Sequence, residues 1–331
     1  MNGKVRERDR RTKMNRCVYT IKIFSTLLFI LIVSGCTKPD RAEIKDQYIA
    51  GLVNKINTDS LRSYVTWMQK MSTRFMLADN HRQVAVSLKN KFIRLGYPDT
   101  KLDSFDITTT YNGVEYITTQ FNVIAVLTGK TYPDSICVLG AHYDDRISAD
   151  AGDPFVFVPG ANDNATGVAA TLEIARVMKE RSFVPSSTIK FVAFGAEEFG
   201  LLGSLDFSQK AGAAGQKIRM MLNNDMIGIP SSSDPGLWKV NIIDYENSHY
   251  LRSEAQRLCE RYSSVAYIND NANAGRSDSY PFFLYGFKSL FFIQDEPGST
   301  YHKESDLVTT INFEYCREIA KISCALLVDE N

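Results

Sequence analysis

Several features that would define other classes of protein are missing from this sequence. It contains no C-x-x-C pair, so a sulfur-rich zinc or redox site of that spacing is excluded. Its 38 basic and 38 acidic residues balance, which argues against nucleic acid as a partner. No period of 20–50 residues recurs, so a solenoid of stacked repeats is not expected. Histidine is scarce, with four in the chain, so the position of each one is informative.

The first 35 residues are typical of an export signal. Residues 1–22 contain eight basic residues against two acidic ones, and a short apolar run, 23–33, follows. The sequence then reads V-S-G-C, which resembles a bacterial lipobox. We therefore expect a lipoprotein signal peptide over 1–35 and lipid on Cys36. A single transmembrane anchor is the alternative, although the apolar run is short for a bilayer.

This leader predicts where the mature protein is located. We expect it to be exported and lipid-anchored to a bacterial membrane, at the periplasmic face or the cell surface. Residues 36–45 are polar and predicted to form a tether, and 46–331 are predicted to fold. Loss of the leader, with its eight basic and two acidic residues, leaves 30 basic and 36 acidic residues. This mild acidity again speaks against nucleic acid.

Alternating apolar strands and amphipathic helices predict the fold class. Three helical patterns come first, and an Asn112-Gly113 turn then joins two β-rich segments as a hairpin. Further strands are predicted at 135–139, 188–194, 218–222, 238–243 and 289–293, and helices at 168–178, 201–211, 249–262 and 313–327. The pattern indicates an α/β fold of one domain, with a mostly parallel, mixed central sheet covered by helices on both faces.

Polar side chains follow the predicted strands at their carboxyl ends. These segments are G-A-H-Y-D (140–144), G-A-E-E (195–198), N-N-D (223–225) and Y-H (301–302), and the polar loop 159–164 joins them. Ligands bind at this edge of an open α/β sheet. Imidazole and carboxylate groups are the usual non-sulfur ligands of zinc, whereas calcium and magnesium prefer oxygen alone. The sequence therefore predicts a zinc site at this edge.

Each of these residues also has an ordinary explanation when it is taken alone. A histidine in a loop is most often solvated. A pair of adjacent glutamates such as Glu197-Glu198 most often lies on the charged surface of a protein. Asp163 in a polar loop is suited to a turn or a helix cap. Asp225 follows an apolar strand, where burial without a partner is costly. The metal interpretation depends on all five strand-end segments occurring together.

Together the segments resemble a known family. G-A-H-Y-D, P-G-A-N-D-N-A-T-G-V, F-G-A-E-E-F-G-L-L-G-S, N-N-D-M-I-G and Y-H-K-E-S-D, in this order, are similar to the co-catalytic di-zinc aminopeptidases. Bacterial leucine aminopeptidases, glutamate carboxypeptidases and glutaminyl cyclases belong to that family. The resemblance runs from about residue 75 to the end and includes Ser72-Thr73-Arg74-Phe75. It implies a zinc-exopeptidase (phosphorylase/hydrolase-like) fold and a catalytic domain, 46–331, acting on the free amino end of peptides.

The resemblance also implies a ligand set for two zinc ions per chain. Asp163 would bridge the two ions. His142 and Asp225 would complete one site, and Glu198 and His302 would complete the other.

Further roles are implied for the residues around these ligands. Glu197 would act as the general base. Asp144 would accept the other ring N–H of His142 and so fix its tautomer. A cis peptide bond is implied between Asp163 and Asn164.

The sequence departs from the family pattern in one segment. Gly275-Arg276-Ser277-Asp278-Ser279 resembles the family's S-D-H stretch, but a serine stands where histidine is common, and no tyrosine precedes it. Candidates for substrate binding are therefore Tyr301, which would stabilise the oxyanion, Arg276, which would meet a substrate carboxylate, and Asp278. The ordinary explanations are loop packing for Tyr301 and a surface charge for Arg276.

Two other functions remain open from the sequence. A glutaminyl cyclase of the same family, with a single zinc, would transfer rather than hydrolyse. A receptor-like relative would bind without catalysis, although an intact Glu197 argues against that. Side-chain preference, the choice between dipeptidase and general aminopeptidase, oligomeric state and disulfide pairing stay undetermined.

Overall fold

Eight strands form one mixed sheet in the computed structural model, which describes residues 40–331. The predicted signal peptide over 1–35 and the lipidation site Cys36 lie outside the described residues. Within 40–331, no helix is both long and apolar enough to cross a membrane.

Three helices open the described chain, as the sequence predicts: α1 (Arg41–Val53), α2 (Thr58–Gln69) and α3 (His81–Arg94). The tether predicted over 36–45 is too long at its carboxyl end. The Asp40 side chain caps α1 by accepting a hydrogen bond from the backbone N–H of Glu43 at 2.7 Å. The helix therefore begins inside the predicted tether, and it buries Ile49 and Leu52 in the core.

The buried stripe of α2 is the predicted one, with Leu61, Tyr64, Val65 and Met68 all buried. In α3 the prediction is wrong for one residue, because Ile93 is 37% exposed. Successive helix residues are rotated by about 100°, so Ile93 lies beside the i, i+4 stripe of this helix rather than on it.

An antiparallel hairpin forms one end of the sheet. Strand β1 (Lys101–Tyr111) pairs along its whole length with residues 114–124 of strand β2 (Val114–Leu127). Asn112 (φ 49°) and Gly113 (φ 78°) both adopt the left-handed conformation. Two such residues form the turn whose twist matches that of the flanking strands.

The rest of the chain alternates between strands and helices. The strands are β3 (Tyr132–His142), β4 (Ser187–Phe194), β5 (Lys217–Asn224), β6 (Lys239–Ile243), β7 (Ala266–Ile268) and β8 (Ser289–Gln294). The helices are α4 (Thr166–Glu180), α5 (Leu202–Ala213), α6 (His249–Tyr262), α7 (Ser279–Leu284) and α8 (Phe313–Asp329). The short elements β7 and α7 are not predicted from the sequence.

The strand order is β1-β2-β4-β3-β5-β8-β6-β7. The four central strands, β4, β3, β5 and β8, run parallel, whereas β1, β2 and β6 each pair with a neighbour in the antiparallel sense. The predicted fold class is confirmed. The carboxyl ends of the four parallel strands lie along one edge, where the candidate site forms.

Both faces of the sheet are buried, because side chains alternate between them along each strand. In β3, Cys137 and Leu139 pack in the larger core with α1, α2, α3, α4, α6 and α8. Ile136 and Val138 point to the other face and pack with residues of α5 and α7. The cysteines of the described part, Cys137, Cys259, Cys316 and Cys324, are buried free thiols.

Candidate metal centre

The five predicted ligands converge at the carboxyl edge of the parallel strands. His142 is the last residue of β3, Asp225 directly follows β5, and Glu198 lies in a short helical turn after β4. His302 lies in the loop after β8, and Asp163 lies in the loop between β3 and α4. The topology therefore brings together residues that are up to 160 positions apart in the chain.

Three of these side chains form a first donor set, consisting of His142, Asp163 and Asp225. The Nε2 atom of His142 lies 3.3 Å from Oδ1 of Asp163 and 3.4 Å from Oδ1 of Asp225. All three residues are buried.

A second donor set consists of Asp163, Glu198 and His302. The Nε2 atom of His302 lies 3.1 Å from Oδ2 of Asp163 and 3.2 Å from Oε1 of Glu198. Asp163 therefore presents one carboxylate oxygen to each set, which is the arrangement expected of a bridging ligand.

The chemistry of these atoms fits metal binding. Oε1 of Glu198, Oδ1 of Asp225 and Nε2 of His302 are buried and have no hydrogen-bond partner among residues 40–331. Buried polar atoms are nearly always paired in folded proteins. Two imidazoles and three carboxylates, with their free atoms facing one another, are a donor set that suits zinc.

Glu197 lies beside the first donor set. Its Oε2 atom is 3.9 Å from Nε2 of His142, and the residue is 7% exposed. Burial raises the pKa of Glu197 well above its ordinary range; His142 opposes this rise, and the carboxylates of Glu198 and Asp225 add to it. Glu198 lies instead 3.2 Å from Nε2 of His302, so the two adjacent glutamates face different parts of the site.

Asp144 is placed as predicted but makes a different contact. Its carboxylate accepts hydrogen bonds from the backbone N–H groups of Glu197, at 2.9 Å, and Glu198, at 3.1 Å. Nδ1 of His142 is 3.8 Å from that carboxylate but 3.1 Å from the backbone oxygen of Asp144. The predicted hydrogen bond to the side chain is therefore wrong. The backbone carbonyl is the partner of the imidazole, and the carboxylate holds the Glu197-Glu198 turn.

Asp225 is held by a residue to which sequence analysis gives no role. The hydroxyl of Ser277 donates to Oδ2 of Asp225 at 2.6 Å and accepts from the side-chain amide of Asn223 at 2.5 Å. This leaves Oδ1 of Asp225 free to face the first donor set. The S-D-H resemblance draws attention to this segment but not to this contact.

The backbone is unusual at three of these loops. Ala196, Met226 and His302 have positive φ values of 57°, 53° and 53°. Non-glycine residues in this conformation are uncommon and cluster at functional sites. The peptide bond between Asp163 and Asn164 is cis, so the prediction made for it is confirmed.

A cavity of about 230 Å³ opens onto both donor sets. Tyr301 and Arg276, the two residues predicted to bind substrate, line this cavity, and Arg276 is exposed. Sequence analysis misses its apolar wall, which consists of Met226, Phe291, Ile293 and Pro297. Met226 belongs to the recognised segment N-N-D-M-I-G, whereas the rest of the wall is formed by the β8 strand and the loop after it.

Asp278 is not placed to contact a substrate. It is fully buried and does not line the cavity. Burial raises its pKa to about 7, although attraction to His142 opposes the rise. The prediction that Asp278 binds substrate directly is therefore wrong.

Comparisons with known proteins identify the family. The sequence profile of the peptidase family M28 matches residues 122–327. A probable aminopeptidase of Saccharomyces cerevisiae is 29% identical over 218 residues, which are 63% of this chain and 57% of the yeast protein. The present chain thus spans little more than half the length of that relative.

Solved structures show the same fold. The LapA aminopeptidase of Legionella pneumophila superposes with a TM-score of 0.72 at 23% identity, over 89% of this chain and 78% of LapA. A glutaminyl cyclase of Bacteroides thetaiotaomicron superposes with a TM-score of 0.66 at 19% identity, over 84% of this chain and 99% of the cyclase. At these identities the likeness concerns the fold, whereas the family rests on the sequence match to more than half of the chain. The chain is a member of the peptidase family M28.

Proposed function

We propose that this protein is a zinc-dependent aminopeptidase that hydrolyses the peptide bond nearest the free amino end of a peptide. The observation that supports this best is the pair of donor sets that share Asp163, with Glu197 beside them at the end of a cavity. Such an arrangement suits two metal ions held side by side for hydrolysis.

The distances between the donor atoms support this set of ligands. His142 and Asp225 would hold one zinc ion, Glu198 and His302 would hold the other, and Asp163 would bridge them. Zinc bound there would lower the pKa of a water molecule and polarise the scissile carbonyl.

Glu197 supplies the proton transfers. It would accept a proton from the attacking water as general base and return it to the leaving amine as general acid. The Asp144 carboxylate fixes the backbone N–H groups of Glu197 and Glu198, so the base and its neighbouring ligand move as one unit.

The cavity favours a chain end over a continuous segment. At about 230 Å³ it is smaller than the roughly 300–1,000 Å³ that is usual for pockets binding drug-sized molecules. Its apolar wall would take the first side chain of the peptide. Tyr301 would stabilise the oxyanion, and Arg276 would meet a substrate carboxylate.

Two alternatives are separated by experiment rather than by the fold, because an aminopeptidase and a glutaminyl cyclase both superpose on this chain. A cyclase would hold one zinc ion and act on amino-terminal glutamine, whereas the proposed enzyme would hold two and act on unblocked peptides. A receptor-like protein would bind peptides without turnover.

The central test is the isosteric substitution Glu197→Gln. We expect zinc content to remain that of the wild type while turnover of unblocked peptides falls by at least about 100-fold, which is the usual contribution of a general base. Full activity in this variant would exclude Glu197 as the base. Absence of zinc and activity from the wild type would exclude the proposed function itself.

We also propose that the protein is exported and lipid-anchored through Cys36 to a bacterial membrane. The support is the V-S-G-C sequence after a basic and apolar leader. Cys36→Ala should move the protein from the membrane fraction to the soluble fraction without changing the activity of the catalytic part. Retention of the variant in the membrane fraction would contradict lipid anchoring.

A further inference from the structure

Two buried charges of opposite sign hold the loop that carries Asp163. One is the Arg74 side chain, which is 1% exposed, and the other is the Asp306 side chain, which is 2% exposed. Neither is a member of a donor set. A buried charge is costly unless it is paired and fully hydrogen-bonded, so the partners of these two residues show what each one stabilises.

Arg74 binds the carbonyl groups at the start of the loop. Its guanidinium donates to the backbone oxygens of Pro159, at 3.0 Å, and Gly160, at 2.8 Å. It also donates to the backbone oxygen of Tyr143 at 2.8 Å and lies 3.3 Å from the carboxylate of Asp145. Because Tyr143 follows His142 directly, Arg74 joins the strand end that carries His142 to the loop that carries Asp163.

Gly160 permits this close approach. It adopts a positive φ of 43°, and an added Cβ would lie 2.6 Å from the guanidinium of Arg74 and 2.5 Å from the backbone oxygen of Asp163. A side chain at this position would therefore separate the arginine from the loop.

Asp306 binds the N–H groups at the end of the loop. Its carboxylate accepts hydrogen bonds from the backbone N–H groups of Asn162, at 2.9 Å, and Asp163, at 3.0 Å, and its backbone oxygen accepts from Ala161 at 3.0 Å. Asp306 lies four positions after His302. It therefore joins the segment that carries His302 to the loop that carries Asp163.

We infer that Arg74 and Asp306 are positioning residues with separate duties, Arg74 for the first donor set and Asp306 for the second. Arg74 holds Oδ1 of Asp163 in place 3.3 Å from Nε2 of His142. Asp306 holds Oδ2 of Asp163 in place 3.1 Å from Nε2 of His302. This inference rests on the proposed function, because it concerns the affinity of each set for metal. It predicts that loss of the contacts made by one of these residues weakens one metal site more than the other.

The test measures binding of zinc and of cobalt to the metal-free protein, by calorimetry and by the visible absorption of cobalt. Asp306→Asn should weaken one of two binding steps by about 10- to 100-fold, which is the usual effect of removing a partner of metal ligands. The matched control is Glu173→Gln. Glu173 is equally buried and accepts hydrogen bonds from Asn57 and Arg176, away from both donor sets, and its variant should bind two ions as the wild type does.

Single-site backgrounds identify the step that is affected. In the His142→Ala background, the second donor set is intact. Adding Asp306→Asn there should weaken zinc binding by most of the same 10- to 100-fold factor. In His302→Ala, which leaves the first donor set, the same addition should have much less effect, and Arg74→Lys should now be the damaging change.

The outcomes are distinct. Unchanged binding by Asp306→Asn, or equal weakening in both single-site backgrounds, would overturn the inference while leaving the proposed function intact. A wild-type protein that binds no zinc would overturn the proposed function instead. If Asp306→Asn fails to fold, as judged by circular dichroism, Asp306→Glu keeps the charge but shifts it, and it should show the same selective loss to a smaller degree.

Discussion

At the residue scale, the side chains proposed to bind metal are easy to recognise in the sequence. The residues that hold those side chains in place are not. His142, Asp163, Glu198, Asp225 and His302 stand in strand-end segments rich in metal-binding side chains, and the resemblance to the di-zinc aminopeptidases singles them out as ligands. Ser277 and Asp306 stand in recognised segments of the sequence, but the sequence gives neither of them a role. Only the fold shows that Ser277 binds the carboxylate of Asp225 and that Asp306 binds the backbone of Asp163.

Ser277 provides a test of this supporting layer. Ser277→Ala should weaken zinc binding by about 10-fold or more, since the hydrogen bond that orients Asp225 is lost. The free energy of unfolding of the metal-free protein should fall by only about 1 kcal/mol. Zinc titration and urea unfolding measure the two effects.

Ser289→Ala is the matched control, because Ser289 is also buried and donates a hydrogen bond to a backbone oxygen, that of Ser279. It should lose similar stability while binding zinc normally. Equal zinc affinity in the two variants would show that Ser277 does not support metal binding.

Arg276 provides a test of substrate length. It lines the cavity and is exposed, so it is placed to meet the terminal carboxylate of a short peptide. Arg276→Ala should raise KM for dipeptides by about 10-fold, the equivalent of about 1.4 kcal/mol for a hydrogen bond between charged groups. The KM for the same peptides with amidated carboxyl ends should not change.

Steady-state kinetics with the paired substrates measure this difference, and Arg276→Lys should recover part of it. An equal rise in KM for free acids and amides would contradict a contact with the carboxylate. It would indicate instead that the loop around Arg276 shapes the cavity.

At the element scale, most of the architecture is readable because strands and helices carry different periodicities. The Asn112-Gly113 turn, the buried stripe of α2 and all of the long strands are predicted. The misses have local causes: α7 is six residues long and contains Pro281, and β7 is three residues long. The α1 boundary is missed because Asp40 acts as a helix cap in an otherwise polar segment.

Two glycines test this interpretation in opposite directions. Gly113 has a positive φ of 78°, so Gly113→Ala should lower the free energy of unfolding by about 1–2 kcal/mol. Gly51 lies inside α1, and no atom of the described part of the chain lies within 4 Å of a Cβ added there. Gly51→Ala should therefore raise the free energy of unfolding by about 0.5–1 kcal/mol. Urea unfolding of the two variants provides the measurement, and effects of the same sign would be inconsistent with the structure.

At the scale of the whole molecule, parallel pairing of the central strands determines where the candidate site forms, because it places loops that are distant in sequence at one edge. The sequence predicts this convergence from strand-end motifs. It does not predict the cavity, whose wall comes from the β8 strand and the loop that follows it. Loop conformation depends on contacts that a periodic pattern does not encode.

Removal of the metal should lower the free energy of unfolding of the whole protein. Without zinc, the negative charges of Asp163, Glu198 and Asp225 lie close together beside two histidines and the exposed Arg146, which is 4.0 Å from Glu198. Adding zinc at 100 times its Kd should raise the free energy of unfolding by about 2.7 kcal/mol per ion and Tm by several degrees. Thermal unfolding with and without a chelator checks this, and an unchanged Tm would contradict it.

The proposed function requires two metal ions, one on either side of Asp163. The most direct measurement is a crystal structure of the zinc-loaded protein with anomalous diffraction recorded at the zinc absorption edge. We predict two peaks, one among His142, Asp163 and Asp225 and the other among Asp163, Glu198 and His302. A single peak, or no peak within bonding distance of Asp163, would contradict the central claim.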